Sequence, residues 1–243
     1  MQELFKKYNI ELEKNELEKF EKFLDIFMEK NSQINLSAIR EKDAIIEKHF
    51  IDSIMLNIFV DFTSPQPSPS QGEGARPKVK IADLGTGWWF PGIPLAIINK
   101  EVDFTLIDSV WKKLKVIDEF AQTLELENIT TLNWRAEEIG QNLDYREQFD
   151  FVVSRATAFM PTLLEYTIPL LKVWWMFAAY KLDDKEELKS AKKALSRLWA
   201  KIYKIKNYSI WWQDRTIVLI EKISKTHIKY PRKNWIPLQK PIV

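Results

Sequence analysis

Two glycines and two aspartates mark the part of the sequence with the clearest potential for chemistry. The apolar run VKIADL (79–84) contains Asp83 and leads directly into Gly85-Thr86-Gly87, and a second apolar run, FTLID (104–108), ends in Asp108. A glycine turn lets the backbone approach a nucleotide-like ligand closely, and a carboxylate after the next strand can accept hydrogen bonds from ribose hydroxyls. The spacing therefore predicts a nucleotide-type site that contains Asp83, Gly85, Gly87 and Asp108.

The glycine spacing separates two classes of nucleotide ligand only in part. Dinucleotide sites usually carry G-x-G-x-x-G at the start of a helix, which holds the pyrophosphate. Here the next glycine after Gly87 is Gly92, with Pro91 and Pro94 beside it. Asp83 also suits a cationic cofactor without phosphates better than a pyrophosphate. The pattern favours S-adenosylmethionine, and NAD in an oxidoreductase is the alternative.

The segments around this site alternate between apolar runs and helical patterns. Near-continuous apolar runs are typical of strands that are buried on both faces of a sheet. They occupy 79–84, 104–108, 129–133 and 149–154, with further candidates at 176–181, near 203–210 and at 215–223. Helical patterns lie between them at 112–124, 160–171 and 184–198. We therefore predict an α/β fold with a doubly wound, mostly parallel sheet and a ligand site at the carboxyl ends of its strands.

Composition divides the chain into four regions. Residues 1–62 are predicted to be helical, with Asn15 and Glu18 in a capping-box pattern before one helix and a second helix over 42–60. Residues 63–78 are rich in Pro, Ser and Gly and are predicted to form a flexible insertion. The core is expected at 79–223, and 224–243 form a basic tail.

Composition also excludes several kinds of chemistry. The chain has 243 residues, of which 46% are hydrophobic and 29% charged, as in a globular protein with one full core. It contains no Cys, which excludes a thiol nucleophile, disulfides and cysteine-ligated zinc. No signal peptide or membrane-spanning run is recognisable. We expect a cytoplasmic protein that is not bound to a membrane.

Charge is distributed unevenly along the chain. Residues 1–180 contain 20 Lys and Arg against 28 Asp and Glu, whereas 181–243 contain 16 against 6. A basic region on an acidic body suggests a polyanionic partner such as nucleic acid, because local potential steers a phosphate backbone more than net charge does. A solvated, lysine-rich surface is the alternative.

Several motifs together resemble the small-subunit ribosomal RNA methyltransferase G family, also called glucose-inhibited division protein B. They extend over about residues 20–222 and comprise NLS (35–37), KHFIDS (48–53), DLGTGWWFPGIPLAI, TLIDS, WRAEEIG and FDFVVSRATA. The resemblance implies a class I methyltransferase, whose Rossmann-like sheet has seven strands with the last one antiparallel. It further implies methyl transfer from S-adenosylmethionine to N7 of a guanine in 16S ribosomal RNA.

The resemblance also assigns roles to individual residues. The implied cofactor contacts are Gly85, Phe90, Ala136, Glu137 and Arg155, in addition to Asp83, Gly87 and Asp108. Candidate contacts to the guanine or its phosphate are Asn35, Arg40, His49 and Asp52, since Arg donates paired hydrogen bonds to phosphate or to guanine acceptors. Packing of the N-terminal segment onto the sheet is the alternative for this second group.

The implied chemistry requires few special residues. Guanine N7 carries an available lone pair, so attack on a sulfonium methyl needs no general base, and orientation of the two reactants can supply most of the catalysis. We therefore expect no catalytic acid or base and no metal. The expected partner is 16S ribosomal RNA or the small ribosomal subunit, and the expected state is a monomer. A non-catalytic RNA-binding protein that retains the fold is the alternative.

The ten tryptophans of this sequence are unusual. It has only six Gly, whereas the usual ~7% would give roughly 17. The family pattern has, or would readily accept, Gly at each Trp position: 88, 89, 111, 134, 174, 175, 199, 211, 212 and 235. The pairs at 174–175 and 211–212 fall at predicted turns, where positive φ is expected. We hypothesise that the source organism reads UGA as glycine and that these codons were translated as Trp in the sequence given. The protein in the cell would then have Gly at most or all of the ten positions. An aromatic RNA-stacking surface is the alternative.

Overall fold

A seven-stranded sheet forms the centre of the protein. The computed structural model describes residues 1–62, 78–155, 157–182 and 185–243. The strands are β1 (Lys80–Leu84), β2 (Asp103–Asp108), β3 (Ile129–Asn133), β4 (Phe149–Arg155), β5 (Leu171–Lys181), β6 (Ala200–Ile210) and β7 (Gln213–Lys222). Their order across the sheet is β3-β2-β1-β4-β5-β7-β6.

The strand directions match the expected fold class. Strands β1 to β5 pair in parallel with one another, whereas β7 is antiparallel to both β5 and β6. The seven predicted strands and the antiparallel last strand are thereby confirmed. The switch in strand order lies between β1 and β4, which brings the carboxyl ends of β1, β2 and β4 together.

Twelve α-helices, one π-helical segment and one 3₁₀ segment connect and cover these strands in the part of the chain that the structure describes. In chain order the α-helices are α1 (Gln2–Lys6), α2 (Lys14–Ile34), α3 (Lys42–Ile45), α4 (Asp52–Ile54), α5 (Leu56–Phe59), α6 (Gly92–Ile98), α7 (Trp111–Thr123), α8 (Ala136–Ile139), α9 (Met160–Thr167), α10 (Lys185–Ser190), α11 (Lys192–Leu198) and α12 (Ile236–Gln239). The π-helical segment is Ile46–Ile51, and the 3₁₀ segment is Ile168–Leu170.

Two apolar clusters pack on opposite faces of the sheet. The first joins the N-terminal helices to α6, α7 and one face of β1, β2 and β4. Its centre is aromatic: Phe23 stacks on Phe50 with ring centroids 4.7 Å apart. The second cluster joins α9 and α11 to the other face. The N-terminal segment is therefore part of one of the two layers that cover the sheet.

The local details of three predicted elements differ from the structure. The capping box of α2 uses Glu13 and Glu16 instead of Asn15 and Glu18, because the helix begins at Lys14. The helix predicted over 42–60 is divided into three α-helical pieces and the π-helical segment. Strand β5 begins at Leu171, where the pattern predicted the end of a helix. The predicted insertion at 63–78 lies outside the described residues except for Lys78.

The last two strands form a hairpin with a two-residue loop. Trp211 and Trp212 connect Ile210 to Gln213, and their φ angles are 49° and 62°. Positive φ at both central residues is the geometry of a type I′ turn, which matches the twist of the strands. The turn predicted at 211–212 is confirmed, whereas residues 174–175, also predicted as a turn, lie within β5. Among the described residues, no helix is both long and apolar enough to cross a bilayer.

Candidate functional site

A cavity of about 510 Å³ opens at the carboxyl ends of β1, β2 and β4. This is the edge of the sheet at which an open α/β fold binds its ligands. Seven of the eight predicted cofactor contacts line the cavity: Gly85, Gly87, Phe90, Asp108, Ala136, Glu137 and Arg155. The structure therefore brings together residues that are separated by up to 70 positions in the sequence.

The loop after β1 forms one wall of the cavity. Gly85 has a φ of 71°, and its backbone N–H donates to the carbonyl of Ile107 over 2.9 Å. A Cβ at Gly85 would lie 2.6 Å from Cγ2 of Thr157. Glycine is thus required at this corner both by backbone conformation and by the approach of the loop after β4.

The Asp108 carboxylate connects this loop to the end of β2. Its Oδ2 accepts the N–H of Gly87 over 3.0 Å, and its Oδ1 accepts the N–H of Val110 over 2.8 Å. Lys113 lies 3.6 Å from Oδ2. Each carboxylate oxygen has two lone pairs, so the group retains acceptor capacity toward hydroxyls in the cavity.

Asp83 is not among the residues that line the cavity, and its role as a cofactor contact stays a prediction. Its side chain is fully buried and its Oδ2 accepts the N–H of Gly92 over 2.9 Å. The next residue of the strand, Leu84, borders the cavity. Burial raises the pKa of Asp83 to about 7. Asp83 therefore holds the start of α6.

Phe90 lies between the N-terminal segment and the end of β4. The His49 ring stacks on it with centroids 4.7 Å apart, and the Arg155 guanidinium carbon lies 4.8 Å from its ring centroid. His49 Nε2 is 3.0 Å from the Ser37 hydroxyl, and burial lowers the pKa of His49 to about 3. The imidazole at the cavity wall is therefore neutral at physiological pH.

The four residues proposed for the guanine or its phosphate occupy different environments. Only His49 lines the cavity. Arg40 donates to the carbonyl of Asn31 over 2.9 Å and to the side chain of Asn35, and it borders a separate cavity of about 290 Å³. Asp52 is buried. The four residues are close in the sequence, but the helices of the N-terminal segment place them in different environments.

Asp52 forms an ion pair with the one arginine that reaches the cavity from β4. Arg155 Nη1 lies 3.1 Å from Asp52 Oδ2, and the Tyr208 hydroxyl donates to Asp52 Oδ1 over 2.8 Å. Arg215 approaches the same carboxylate at 3.9 Å. This network links the N-terminal segment, β4 and the hairpin strands, so Asp52 positions Arg155.

Glu137 is held at the opposite wall by several donors. Its Oε1 accepts the backbone N–H of Trp235 over 2.8 Å and the hydroxyl of Tyr166 over 3.2 Å. Arg135 lies 3.5 Å from the same oxygen. Sequence reasoning missed Tyr166 and Tyr208, because neither belongs to a motif and both come from elements distant in the chain.

Comparison with known families agrees with this geometry. The model of the family GidB, rRNA small subunit methyltransferase G, matches residues 16–218. The chain belongs to this family. A ribosomal RNA small subunit methyltransferase G from Desulfitobacterium hafniense is 41% identical over 238 residues, which cover 97% of this chain and 93% of the relative. One from Fusobacterium nucleatum is 39% identical over 239 residues, covering 97% and 96%.

A solved structure confirms the fold of this chain. A mutant 16S rRNA (adenine(1408)-N(1))-methyltransferase from Catenulisporales acidiphilia, solved with its cosubstrate SAM, superposes with a TM-score of 0.52 at 10% identity. The superposition covers 61% of this chain and 87% of that one. The fold is that of a class I S-adenosylmethionine-dependent methyltransferase. The family assignment makes the protein an S-adenosylmethionine-dependent methyltransferase, as the motifs implied.

The residues of the cavity fit S-adenosylmethionine. The volume of the cavity is within the roughly 300–1,000 Å³ of small-molecule sites. The cavity is lined by both apolar and polar groups, such as Phe90 and Asp108. The Asp108 carboxylate is an acceptor suited to ribose hydroxyls, and the Gly85 corner would let the backbone come close to a nucleotide-like ligand. The described residues include no group of three potential metal-ligating side chains.

The Asp52 network predicts an asymmetry in stability between two substitutions. Asp52→Ala removes the partner of a mostly buried Arg155, which costs about 3–5 kcal/mol. Tyr208→Phe removes only one hydrogen bond to the same carboxylate, which costs roughly 1.5–3 kcal/mol. Urea unfolding followed by circular dichroism measures both. Equal losses, or a loss below that of Tyr208→Phe for Asp52→Ala, would contradict the positioning role of Asp52.

Proposed function

We propose that this protein transfers the methyl group of S-adenosylmethionine to N7 of a guanine in 16S ribosomal RNA. One observation carries the proposal: in a chain of the methyltransferase G family, the glycine corner, Asp108 and Arg155 surround one cavity at the switch point of the sheet. The named relatives act on ribosomal RNA of the small subunit according to their names. The NAD alternative lacks this support, since the loop has no third glycine at dinucleotide spacing.

The residues of the cavity support a reaction that depends on orientation. S-adenosylmethionine, when bound, supplies an activated methyl group on a sulfonium. Guanine N7 attacks with its own lone pair, so no residue has to remove a proton. His49 is neutral, and its ring lines the cavity while it stacks on Phe90. The task of these side chains is to hold the base and the donor in line and to exclude water.

His49 is the proposed guanine contact of the N-terminal group. Its Nδ1 is buried without a hydrogen-bond partner in the described structure, and its ring lines the cavity. Arg40 and Asn35 lie on the exposed side of the same segment, and we assign them to the RNA backbone nearby. Asp52 acts through Arg155. The proposal includes a cytoplasmic monomer acting on 16S RNA or on the small subunit.

The basic C-terminal quarter supports a polyanionic substrate. Lys204 and Lys206 lie opposite Leu219 and Ile217 on the same face of the edge strand β6. Neither lysine forms an ion pair with any carboxylate that the structure describes. Desolvation and the charge of Lys204 lower the pKa of Lys206, so a phosphate would relieve the repulsion between the two ammonium groups.

Methyl transfer to purified RNA tests the proposed function. With labelled S-adenosylmethionine, we expect N7-methylguanosine at one position of 16S RNA, either free or in the small subunit. Gly85→Ala should reduce the rate at least tenfold, because its Cβ collides with Thr157 and strains the loop. Gly87→Ala is the comparison variant: it shares the positive φ of Gly85, but its Cβ would meet no atom closer than 3.7 Å, so it should slow the reaction less than Gly85→Ala does.

Trp88 lines the cavity, and Trp89 is buried in the same loop after β1. The chain is therefore tested with Trp and with Gly at its ten Trp positions, so that crowding by these two side chains is separated from lack of function. Methylation by either form supports the proposal. If neither form methylates RNA, saturable RNA binding without cofactor binding favours the non-catalytic alternative. Tighter binding of NADH than of S-adenosylhomocysteine favours an oxidoreductase.

The lysines of β6 give a second prediction about RNA. Replacing both Lys204 and Lys206 with Gln should weaken RNA binding and lower the slope of log affinity against log salt by roughly 1.4–1.8, as expected for two lost phosphate contacts. The matched control replaces the exposed Lys14 and Lys22 of α2 with Gln. Fluorescence anisotropy with an RNA fragment measures both slopes. Equal slopes for the two double variants would show that β6 makes no phosphate contact.

A further inference from the structure

Six of the ten tryptophans have a left-handed backbone. Their φ angles are positive: 77° at Trp89, 71° at Trp174, 55° at Trp199, 49° at Trp211, 62° at Trp212 and 73° at Trp235. In this region the Cβ of an L-residue lies close to the following carbonyl oxygen, so the conformation is occupied routinely only by glycine, and less often by Asn or Asp.

Other residue types rarely adopt this conformation in the same protein. Among the described residues, positive φ occurs at only four that are neither Trp nor Gly: Asn9, Asn35, Glu125 and Glu147. Two of the four are Asn, which tolerates the conformation. Tryptophan therefore occupies the left-handed region more often than all other non-glycine residues together, although it is a bulky side chain.

The positions themselves are ones that fold geometry reserves for glycine. Trp199 follows Leu198 at the end of α11, the place of the glycine that terminates a helix. Trp211 and Trp212 form the two-residue hairpin, which favours Asn-Gly or Gly-Gly. Trp174 lies where β5 departs from regular pairing with β4, and bulges of this kind commonly use glycine.

The side chain of Trp89 adds a second, independent sign. It is fully buried in the loop beside the cavity, stacked on Phe120 with centroids 4.3 Å apart. Its indole N–H is buried with no hydrogen-bond partner in the described structure. Buried tryptophans usually satisfy this donor, and a buried donor without a partner is unfavourable.

We infer that the protein made in its source cell carries glycine at positions 89, 174, 199, 211, 212 and 235. The deficit of glycine in the composition matches the excess of tryptophan. One cause explains both: UGA codons in this gene are read as glycine in the cell, whereas the sequence given translates them as tryptophan. Trp88, Trp111, Trp134 and Trp175 have no positive φ, so the backbone makes no demand for glycine there. The codon reading would nevertheless apply to them equally.

The codons and the natural protein test this inference directly. We expect UGA at the six positions, and peptide mass spectrometry of the protein from its source organism should give glycine at each of them. UGG codons at these positions would overturn the inference. Tryptophan in the natural peptides would also overturn it, whichever codon is present.

A stability comparison tests the physical reason. The variants replace Trp174, Trp199, Trp212 and Trp235 with Gly, because these four side chains are exposed and little burial is lost. Each substitution should raise Tm by roughly 2–4 °C as strain is released. Trp111→Gly is the control: Trp111 is also exposed but lies in the first turn of α7, so Gly there should lower Tm slightly.

Two results of this comparison would contradict the inference. A fall in Tm for the four positive-φ variants would show that the tryptophans stabilise the fold. A loss of affinity for an RNA fragment in the same variants, with Tm unchanged, would show that the exposed indoles form an RNA-stacking surface. We expect RNA affinity to remain within twofold of the Trp-containing chain.

Discussion

The shape of the cavity at the carboxyl ends of β1, β2 and β4 depends on one carboxylate that connects two strands. Asp108 accepts N–H groups from Gly87, in the loop after β1, and from Val110, after its own strand. This arrangement is available only because β1 and β2 are parallel neighbours whose carboxyl ends meet. The loop can bend back to the carboxylate because Gly85 and Gly87 adopt positive φ. The conformation of the loop after β1 therefore depends both on the position of the Asp108 carboxylate and on the parallel pairing of β1 with β2.

The second constraint comes from the N-terminal segment. Its aromatic residues pack on one face of the sheet, and its π-helical stretch brings His49 against Phe90. Asp52, one residue beyond that stretch, receives Arg155 from β4 and Tyr208 from β6. A buried ion pair gives little net stability by itself, but it fixes the direction of the arginine. The N-terminal helices thus complete a cavity that the sheet alone would leave open on one side.

Sequence patterns predicted the sheet and most of the cavity because both follow from local rules. Apolar runs mark buried strands, and the residues after parallel strands converge whatever the details of the helices. Asp83 shows where such rules stop: its buried carboxylate accepts the N–H of Gly92, a contact that no motif indicated. The first residue of α2 and the division of residues 42–60 into separate helical pieces depend on tertiary packing, which the sequence pattern does not show.

Asp52, Tyr208 and Tyr166 show a different limit. Their roles arise from contacts between elements that are distant in the sequence, so a single sequence carries little signal for them. The tryptophans are the opposite case, because a bulky aromatic residue at a predicted turn is unusual in the sequence itself. The positive φ angles at six of them give the physical reason, which composition alone could not supply.

The cavity between β1, β2 and β4 is the proposed binding site of the methyl donor, and every role assigned to its residues depends on that placement. A crystal structure of the protein with S-adenosylhomocysteine is the decisive test. We predict ligand density in this cavity, with ribose oxygens within hydrogen-bond distance of Asp108 and the adenosine near the loop of Gly85. Ligand density at another site, or an unchanged cavity without ligand density at saturating ligand, would contradict this placement.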